Sequence, residues 1–307
     1  MSLVYLVVGF VLLVVGADKF VVGASCCAKR LGVPALIIGL TIVAIGTSAP
    51  ELAVSVTAGV KKSNEIALGN VVGSNIFNLL IVAGMSAMFA PLVLDREVLY
   101  RDFSGSIIAT GTVFTLMVLD EKLSRVDAII LLIGFVIILA LQIRFALNVK
   151  QIESEREEIK IAVWNISLHI VLGIAAIVIG GQLVVAGATD IAQVFGLSET
   201  IIGLTIVAVG TSLPELVTSI MATRRGELSI AIGNVLGSNI FNLLFILPVS
   251  VLCNPIEIQT TAIYDTIFLF LISLVIWIYA RKHQLEKKIG MGMFLLYIIY
   301  LVWIILR

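Results

Sequence analysis

The sequence predicts an all-α polytopic membrane protein of ten transmembrane helices, arranged as two inverted five-helix repeats. Three observations support this prediction: 60% of the 307 residues are apolar, only 13% are charged, and part of the first half recurs in the second half. Soluble proteins carry about 25% charged residues. This chain is therefore expected to lie in a lipid bilayer.

Charged residues separate ten apolar segments, each near the ~20 residues that a spanning helix needs. We expect helices at residues 3–28, 33–60, 65–90, 101–119, 126–146, 161–193, 198–223, 228–252, 262–280 and 289–306. The first is interpreted as a retained helix, because the N-terminus lacks the basic region and cleavage site of a signal peptide. The predicted parts are a first repeat at 1–147, a hydrophilic cytoplasmic connector at 148–160 and a second repeat at 161–307.

The internal repeat determines the arrangement of these helices. Residues 16–80 align with residues 180–244 without a gap, and 29 of the 44 positions from 37 to 80 are identical to their counterparts. Each copy lies within a block of about five helices. Because five is odd, the second block must enter the membrane from the opposite face, as in the inverted repeats of secondary transporters.

The basic residues predict the orientation, since cytoplasmic connections are rich in Lys and Arg. Five lie on one side, and Lys19 falls within the first helix. The other side carries fourteen: Lys29, Arg30, Arg96, Arg101, Arg144, Lys150, Arg156, Lys160, Arg224, Arg225, Arg281, Lys282, Lys287 and Lys288. We therefore expect a multi-pass protein of the plasma membrane with both termini extracellular.

Composition also excludes several partners and cofactors. The 20 basic and 20 acidic residues balance, so no nucleic-acid partner is expected. The three cysteines and two histidines do not cluster in a zinc-binding or haem-binding pattern, so no cofactor is expected.

Two acidic residues stand alone inside predicted helices: Glu51 in the second and Glu215 in the seventh. A charged side chain facing lipid at the bilayer centre costs roughly 2.5–3.5 kcal/mol. The two residues are therefore expected to face a bound cation. Alternatively, each could be protonated or paired within the bundle, and the one candidate basic partner at matching depth is Lys19, beside Asp18.

Each acid follows a helix break of sequence Gly-Thr-Ser-x-Pro-Glu. Pro50 and Pro214 lack an N–H group, which loosens the carbonyls of the preceding turn. Carbonyls freed at this depth need protein, water or ions as partners. Hydroxyl groups accompany each break, from Thr47, Ser48, Thr211 and Ser212. They are candidate cation ligands or, alternatively, caps of the following half-helix.

The third and eighth helices add polar pairs to this set. Ser74 and Asn78 are four residues apart and share a helix face, as do Ser238 and Asn242, whereas Asn75 and Asn239 could support packing. All the candidate ligands are oxygen atoms, which suit Na⁺ and Ca²⁺. Two carboxylates neutralise one Ca²⁺ or two Na⁺, so the two ions would compete.

At these residues the chain resembles the cation/calcium exchanger superfamily, in its prokaryotic sodium/calcium exchanger branch. The matching motifs are GTSAPE with GNVVGSNIFN and GTSLPE with GNVLGSNIFN. The resemblance implies four clustered cation sites, with Glu51 and Glu215 as shared ligands. It implies that the remaining oxygens come from the Thr, Ser and Asn residues above and from the backbone carbonyls of Ala44 and Ala208. It also implies that the first and sixth helices slide over the others, giving alternating access.

The chain departs from some members of this superfamily at Asn242. Members with an Asp there include the potassium-dependent branch, so Asn242 argues against K⁺ co-transport. The acidic motif of the proton/calcium branch is absent.

The function expected from these residues is secondary-active antiport of Na⁺ and Ca²⁺ by a non-enzymatic monomer, with Na⁺ entry driving Ca²⁺ out. Three alternatives stay open: a Ca²⁺/H⁺ antiporter of the same fold, a cation channel, and an intramembrane enzyme using Glu51 and Glu215. The enzyme is the weakest because no nucleophile–base set accompanies the carboxylates.

Overall fold

The computed structural model describes residues 1–148, 162–195 and 208–306, and these are almost entirely helical. All of the predicted connector at 148–160 except Asn148, and the first part of the predicted seventh helix, lie outside the described residues. Within the described part, eight helices are long and apolar enough to span a membrane. A ninth span is formed by two helices, Ala35–Thr47 and Ala49–Val60, that meet at an angle of 50°. The prediction of a helical, multi-pass membrane protein is confirmed.

The elements follow one another as a series of helices with two short strands. They are α1 (Ser2–Leu31), α2 (Ala35–Thr47 and Ala49–Val60), α3 (Asn64–Phe77, Asn78–Val82 and Ala83–Phe89), α4 (Val98–Asp120), β1 (Lys122–Leu123), α5 (Arg125–Asn148), α6 (Val163–Val194), α7 (Ala208–Thr211 and Leu213–Arg224), α8 (Leu228–Cys253), β2 (Ile256–Glu257), α9 (Thr260–Ala280) and α10 (Lys287–Leu306). The chain turns out of α1 at Gly32, whose φ of 67° is readily available only to glycine.

The long helices α1 and α6 pack tightly against each other along a glycine seam. Gly9, Gly16 and Gly23 of α1 are seven residues apart, and α6 repeats this spacing at Gly173, Gly180 and Gly187. A Cβ atom at Gly16 would lie 2.8 Å from the Cβ of Ala176. Only glycine therefore allows this approach, as small residues do in membrane helix pairs generally.

Four helices form the interior of the molecule. The most apolar stretches of α3 and α8 are 83% buried, compared with 22–39% for the other long helices. Helix α2 lies directly on α8, where a side chain at Gly39 would meet the backbone at Ile230 and Gly233. The broken helices α2 and α7 thus lie against α8 and α3, so their breaks are held inside the bundle.

Two short backbone pairings show which connections share a face of the bundle. Strand β1, between α4 and α5, pairs antiparallel with β2, between α8 and α9. A second pairing joins Leu92, after α3, to Leu285, before α10. In each pairing the two connections are separated by an even number of helices, as expected if successive connections alternate between the two faces of the bundle.

Candidate cation-binding site

The two acidic residues lie immediately after the helix breaks. Each break falls at a serine, Ser48 or Ser212, and Pro50 and Pro214 then occupy the first turn of the second half-helix. Glu51 and Glu215 lie in these same first turns, and both side chains are 0% exposed. A helix N-terminus carries partial positive charge, which helps to hold a carboxylate there.

The serines at the breaks bind across the bundle to the opposite carboxylate. Ser48 donates a hydrogen bond of 2.7 Å to Oε1 of Glu215, and Ser212 donates one of 2.9 Å to Oε1 of Glu51. Neither serine hydroxyl caps its own half-helix. For these two residues the capping alternative is therefore wrong, because the hydroxyls are directed to the other half of the chain.

Each carboxylate keeps one buried oxygen without a partner. Oε2 of Glu51 and Oε2 of Glu215 have no hydrogen bond, and within the described part of the chain no ion pair involves either residue. Lys19 does not compensate them: it is exposed, and Asp18 instead pairs with Arg225 at the end of α7. Burying an uncompensated charge is costly. The site is therefore suited to a cation.

The predicted polar residues of α3 and α8 lie beside the carboxylates. Oγ of Ser74 lies 3.4 Å from Oε1 of Glu51 and 3.0 Å from Oγ of Ser212. Asn78, Ser238 and Asn242 are buried, and each has a polar side-chain atom without a partner. Leaving such groups unpaired costs about 1–3 kcal/mol each, so their concentration here favours a site that completes its coordination with ions.

Asn78 and Asn242 each begin one π-helical turn, which spans Asn78–Val82 in α3 and Asn242–Ile246 in α8. Such turns are rare and occur frequently at functional sites. The two halves differ here, because Asn242 donates a hydrogen bond of 3.0 Å to Oδ1 of Asn75 while both polar atoms of the Asn78 amide lack a partner.

Asn75 and Asn239 join α3 to α8 at the centre of the bundle. Asn75 donates to the carbonyl of Asn239 at 3.1 Å, and Asn239 donates to the carbonyl of Asn75 at 3.3 Å. Their reciprocal contacts agree with the packing role expected for them.

The threonines at the breaks hold the two halves together. Thr47 donates toward the carbonyls of Val43 and Ala44 at 3.1 and 3.3 Å and lies 3.0 Å from Oδ1 of Asn234. The Ala44 carbonyl also accepts the Ser48 N–H at 3.0 Å, so in this structure it is engaged within the helix. Thr211 contacts Oδ1 of Asn70 at 3.4 Å, and Ala208 begins the described part of α7.

Two further asparagines brace the half-helices. Asn234 donates to Ser219 at 2.9 Å and to the Glu215 carbonyl at 3.3 Å. In the first half, the Asn70 amide reaches the Glu51 carbonyl and Ser55 in the same way. These two asparagines were not predicted as site residues, although the sequence contains a signal: Asn70, Ser74 and Asn78 follow one another at four-residue spacing.

Comparison with known proteins identifies the relatives of this architecture. The family described as sodium/calcium exchanger protein matches residues 1–144 and 166–306. The chain belongs to this family. The predicted superfamily is thereby confirmed, and the family is one of ion transporters rather than enzymes.

Individual relatives of this exchanger-family chain extend along most of its length. It is 40% identical to the putative antiporter CaxA of Alkalimonas amylolytica, over 84% of this chain and 83% of the relative. It is 34% identical to the sodium/calcium exchanger MaX1 of Methanosarcina acetivorans, over 97% and 96% of the two chains.

Solved structures of the sodium-calcium exchanger NCX_Mj match this exchanger-family chain with a TM-score of 0.88 and 30% identity, over 98% of this chain and 97% of the other. The match includes a crystal soaked with Na⁺ and Sr²⁺. The predicted branch and its exchanger function are confirmed at the level of the family.

Proposed function

We propose that this chain is a secondary-active antiporter that exchanges Na⁺ for Ca²⁺ at a single central site, with the Na⁺ gradient driving Ca²⁺ out of the cell. The observation that carries this proposal is the pair of buried carboxylates, each bonded to the serine of the opposite helix break and each with one unpaired oxygen.

The proposed ligands are all oxygen atoms. Glu51 and Glu215 are the shared carboxylates, and the other ligands are Thr47, Ser48, Ser74, Asn78, Thr211, Ser212, Ser238, Asn242 and the carbonyls of Ala44 and Ala208. Ca²⁺ takes six to eight such ligands. Since the set contains more oxygens than one ion needs, different subsets can serve Ca²⁺ and Na⁺.

Charge balance gives a physical reason for exchange rather than leak. Two carboxylates neutralise one Ca²⁺ or two Na⁺, whereas the empty site would bury two negative charges without compensation. The site therefore switches its access from one side of the membrane to the other readily only when it holds bound ions. The release of one ion species then requires the binding of the other.

The proposed architecture follows the two halves of the chain. Ten transmembrane helices form two inverted repeats, 1–147 and 161–307, joined by a cytoplasmic connector at 148–160. The glycine seam between α1 and α6 supports their movement as one unit over the other helices. The protein would act as a monomer in the plasma membrane, with both termini extracellular.

The decisive experiment measures Na⁺-driven ⁴⁵Ca²⁺ uptake into proteoliposomes. Glu51→Gln and Glu215→Gln should each lower uptake at least tenfold, because a neutral amide removes half of the site's charge. Glu257→Gln, at the exposed position of strand β2, is the matched control and should transport normally. Size-exclusion profiles confirm that each variant is folded.

Three results would contradict the proposal. Uptake that survives either central substitution would exclude the carboxylates as ligands. Uptake driven by a pH gradient in place of the Na⁺ gradient would favour a Ca²⁺/H⁺ antiporter. Flux without any counter-ion would favour a channel.

A further inference from the structure

A groove runs along the outer surface of the bundle between α9 and α10. Its volume is about 350 Å³, within the range of about 300–1,000 Å³ in which proteins bind small molecules. The residues that form its two walls recur every four positions: Leu271, Val275 and Tyr279 on α9, and Lys288, Gly292 and Leu296 on α10. Apart from one end, the groove is therefore apolar.

The dimensions of the groove match one leaflet of a bilayer. From Lys288 to Leu296 the helix rises roughly 12 Å. Half of a typical hydrocarbon core is roughly 15 Å deep. Leu271 and Val275 remain 51% and 63% exposed on the groove wall. An extended hydrocarbon chain lying along the groove would cover them.

The polar end of the groove carries positive charge that, among the described residues, no carboxylate pairs with. Lys287 and Lys288 form the start of α10, whose first turn contains no acidic residue. Cations at a helix N-terminus are unfavourable because they oppose the helix dipole. Within the described residues no carboxylate pairs with Lys288.

The neighbouring groups do not relieve this charge. Arg281 is directed away and lies over the rings of Tyr100 and Trp277. His283 contacts the ring of Tyr279, with centroids 4.9 Å apart. Glu286 is exposed beside Lys287.

Helix α5, in the first half, begins differently. There Asp127 accepts hydrogen bonds of 2.7 Å from the hydroxyl and 2.8 Å from the N–H of Ser124, so that the helix start is capped by its own residues. Helix α10 follows Glu286, whose exposed side chain makes no such contact among the described residues, and an external anion would fill that role.

We propose that the groove binds one anionic glycerophospholipid. An acyl chain lies between α9 and α10, and the phosphate lies at Lys288 and the N–H groups of the first turn of α10, where anions bind favourably. Leu80 lines the bottom of the groove and belongs to the π-helical turn that begins at Asn78. The lipid therefore supports the part of α3 nearest the candidate cation site, although its binding does not depend on the proposed exchange.

Two substitutions separate the apolar and charged parts of this site. Gly292→Leu places an apolar side chain in the groove, at a position where an added Cβ atom has no neighbour within 4 Å. Lys288→Gln removes the charge at the groove. The matched control for Lys288→Gln is Lys282→Gln, which removes a charge from the connection between α9 and α10 but outside the groove. The matched control for Gly292→Leu is Ile299→Phe, which adds bulk at a 66% exposed position of α10 outside the groove.

The test is native mass spectrometry of the delipidated full-length protein, titrated with dioleoyl-phosphatidylglycerol or dioleoyl-phosphatidylcholine. The unmodified protein should retain one phosphatidylglycerol in preference to phosphatidylcholine. Lys288→Gln should weaken phosphatidylglycerol binding about fivefold, the effect of one lysine near an anionic membrane surface. Gly292→Leu should abolish retention, and both controls should bind as the unmodified protein does.

The proposal is overturned by equal retention of the two lipids, which would indicate a merely apolar surface. It is also overturned if Gly292→Leu retains phosphatidylglycerol, or if Lys282→Gln weakens binding as much as Lys288→Gln. Because Lys288 is exposed, its variant tests the proposal even if Gly292→Leu does not fold.

Discussion

Asn234 provides a quantitative test of how the half-helix that carries Glu215 is held. Its side chain is 0% exposed and donates to Ser219 at 2.9 Å and to the Glu215 carbonyl at 3.3 Å. It also accepts a hydrogen bond of 3.0 Å from Thr47 of the other half. Asn234→Ala removes all three contacts together.

The cost of Asn234→Ala can be worked out group by group. Ser219 is also 0% exposed, and its hydroxyl would be left without the amide, at a cost of about 1–3 kcal/mol. Thr47 can redirect its hydroxyl proton to the Val43 carbonyl 3.1 Å away, and the Glu215 carbonyl lies within a helix, so these two losses cost roughly 0.6 kcal/mol each in a membrane bundle. The sum is about 2–4 kcal/mol.

Thermal unfolding of the purified protein would measure this cost. At about 2 °C per kcal/mol for a chain of this size, Asn234→Ala should lower the Tm by about 4–8 °C. The double variant Asn234→Ala/Ser219→Ala contains no orphaned hydroxyl, so its Tm should lie about 2–6 °C above that of the single variant. Ser219→Ala alone completes the double-mutant cycle.

The result that refutes this reasoning is a double variant no more stable than Asn234→Ala. The destabilisation would then come from the cavity, and Asn234 would not be a hydrogen-bonding brace.

Two further predictions concern other parts of the bundle. Gly16→Ala should lower the Tm, because its Cβ would lie 2.8 Å from the Cβ of Ala176 and overpacking costs about 1–3 kcal/mol. The control, Gly105→Ala, adds a Cβ that meets only one atom at 3.8 Å, so it should leave the Tm unchanged or raise it. Equal Tm values for the two variants would contradict the glycine seam. Asn242→Asp should make ⁴⁵Ca²⁺ exchange pH-dependent, because a protonated Asp can still donate to Asn75, whereas the ionised form cannot and adds a third negative charge. The rate of exchange by the variant should therefore resemble that of the unmodified protein at low pH and depart from it as the pH rises. Parallel pH profiles of ⁴⁵Ca²⁺ exchange for the two proteins would exclude this explanation.

The sequence alone predicted the features that depend on local chemistry and duplication. Glu51 and Glu215 stand out because charge is rare at that depth, and the prolines predicted the breaks that the structure contains at Ser48 and Ser212. The helical membrane fold followed from the same apolar segments.

Features that depend on how the two halves meet could not be predicted. The direction of the Ser48 hydroxyl is decided by the nearness of Glu215, which lies 167 positions away in the chain, so capping and ligation stayed open. The π-helical turns at Asn78 and Asn242 give no signal in apolar periodicity. Asn234 was overlooked in part for a similar reason, since its partners lie in α7 and, in the other half of the chain, in α2.

The crossed serine–carboxylate contacts have a consequence for the origin of the chain. Because the serine of one half completes the surroundings of the glutamate in the other, each half holds only part of the candidate ion site. An ancestral unit of a single half would have needed a second copy beside it in order to bind an ion. Fusion of the two copies would have made that partnership permanent and freed each half to evolve separately, as the difference in hydrogen bonding between Asn78 and Asn242 illustrates.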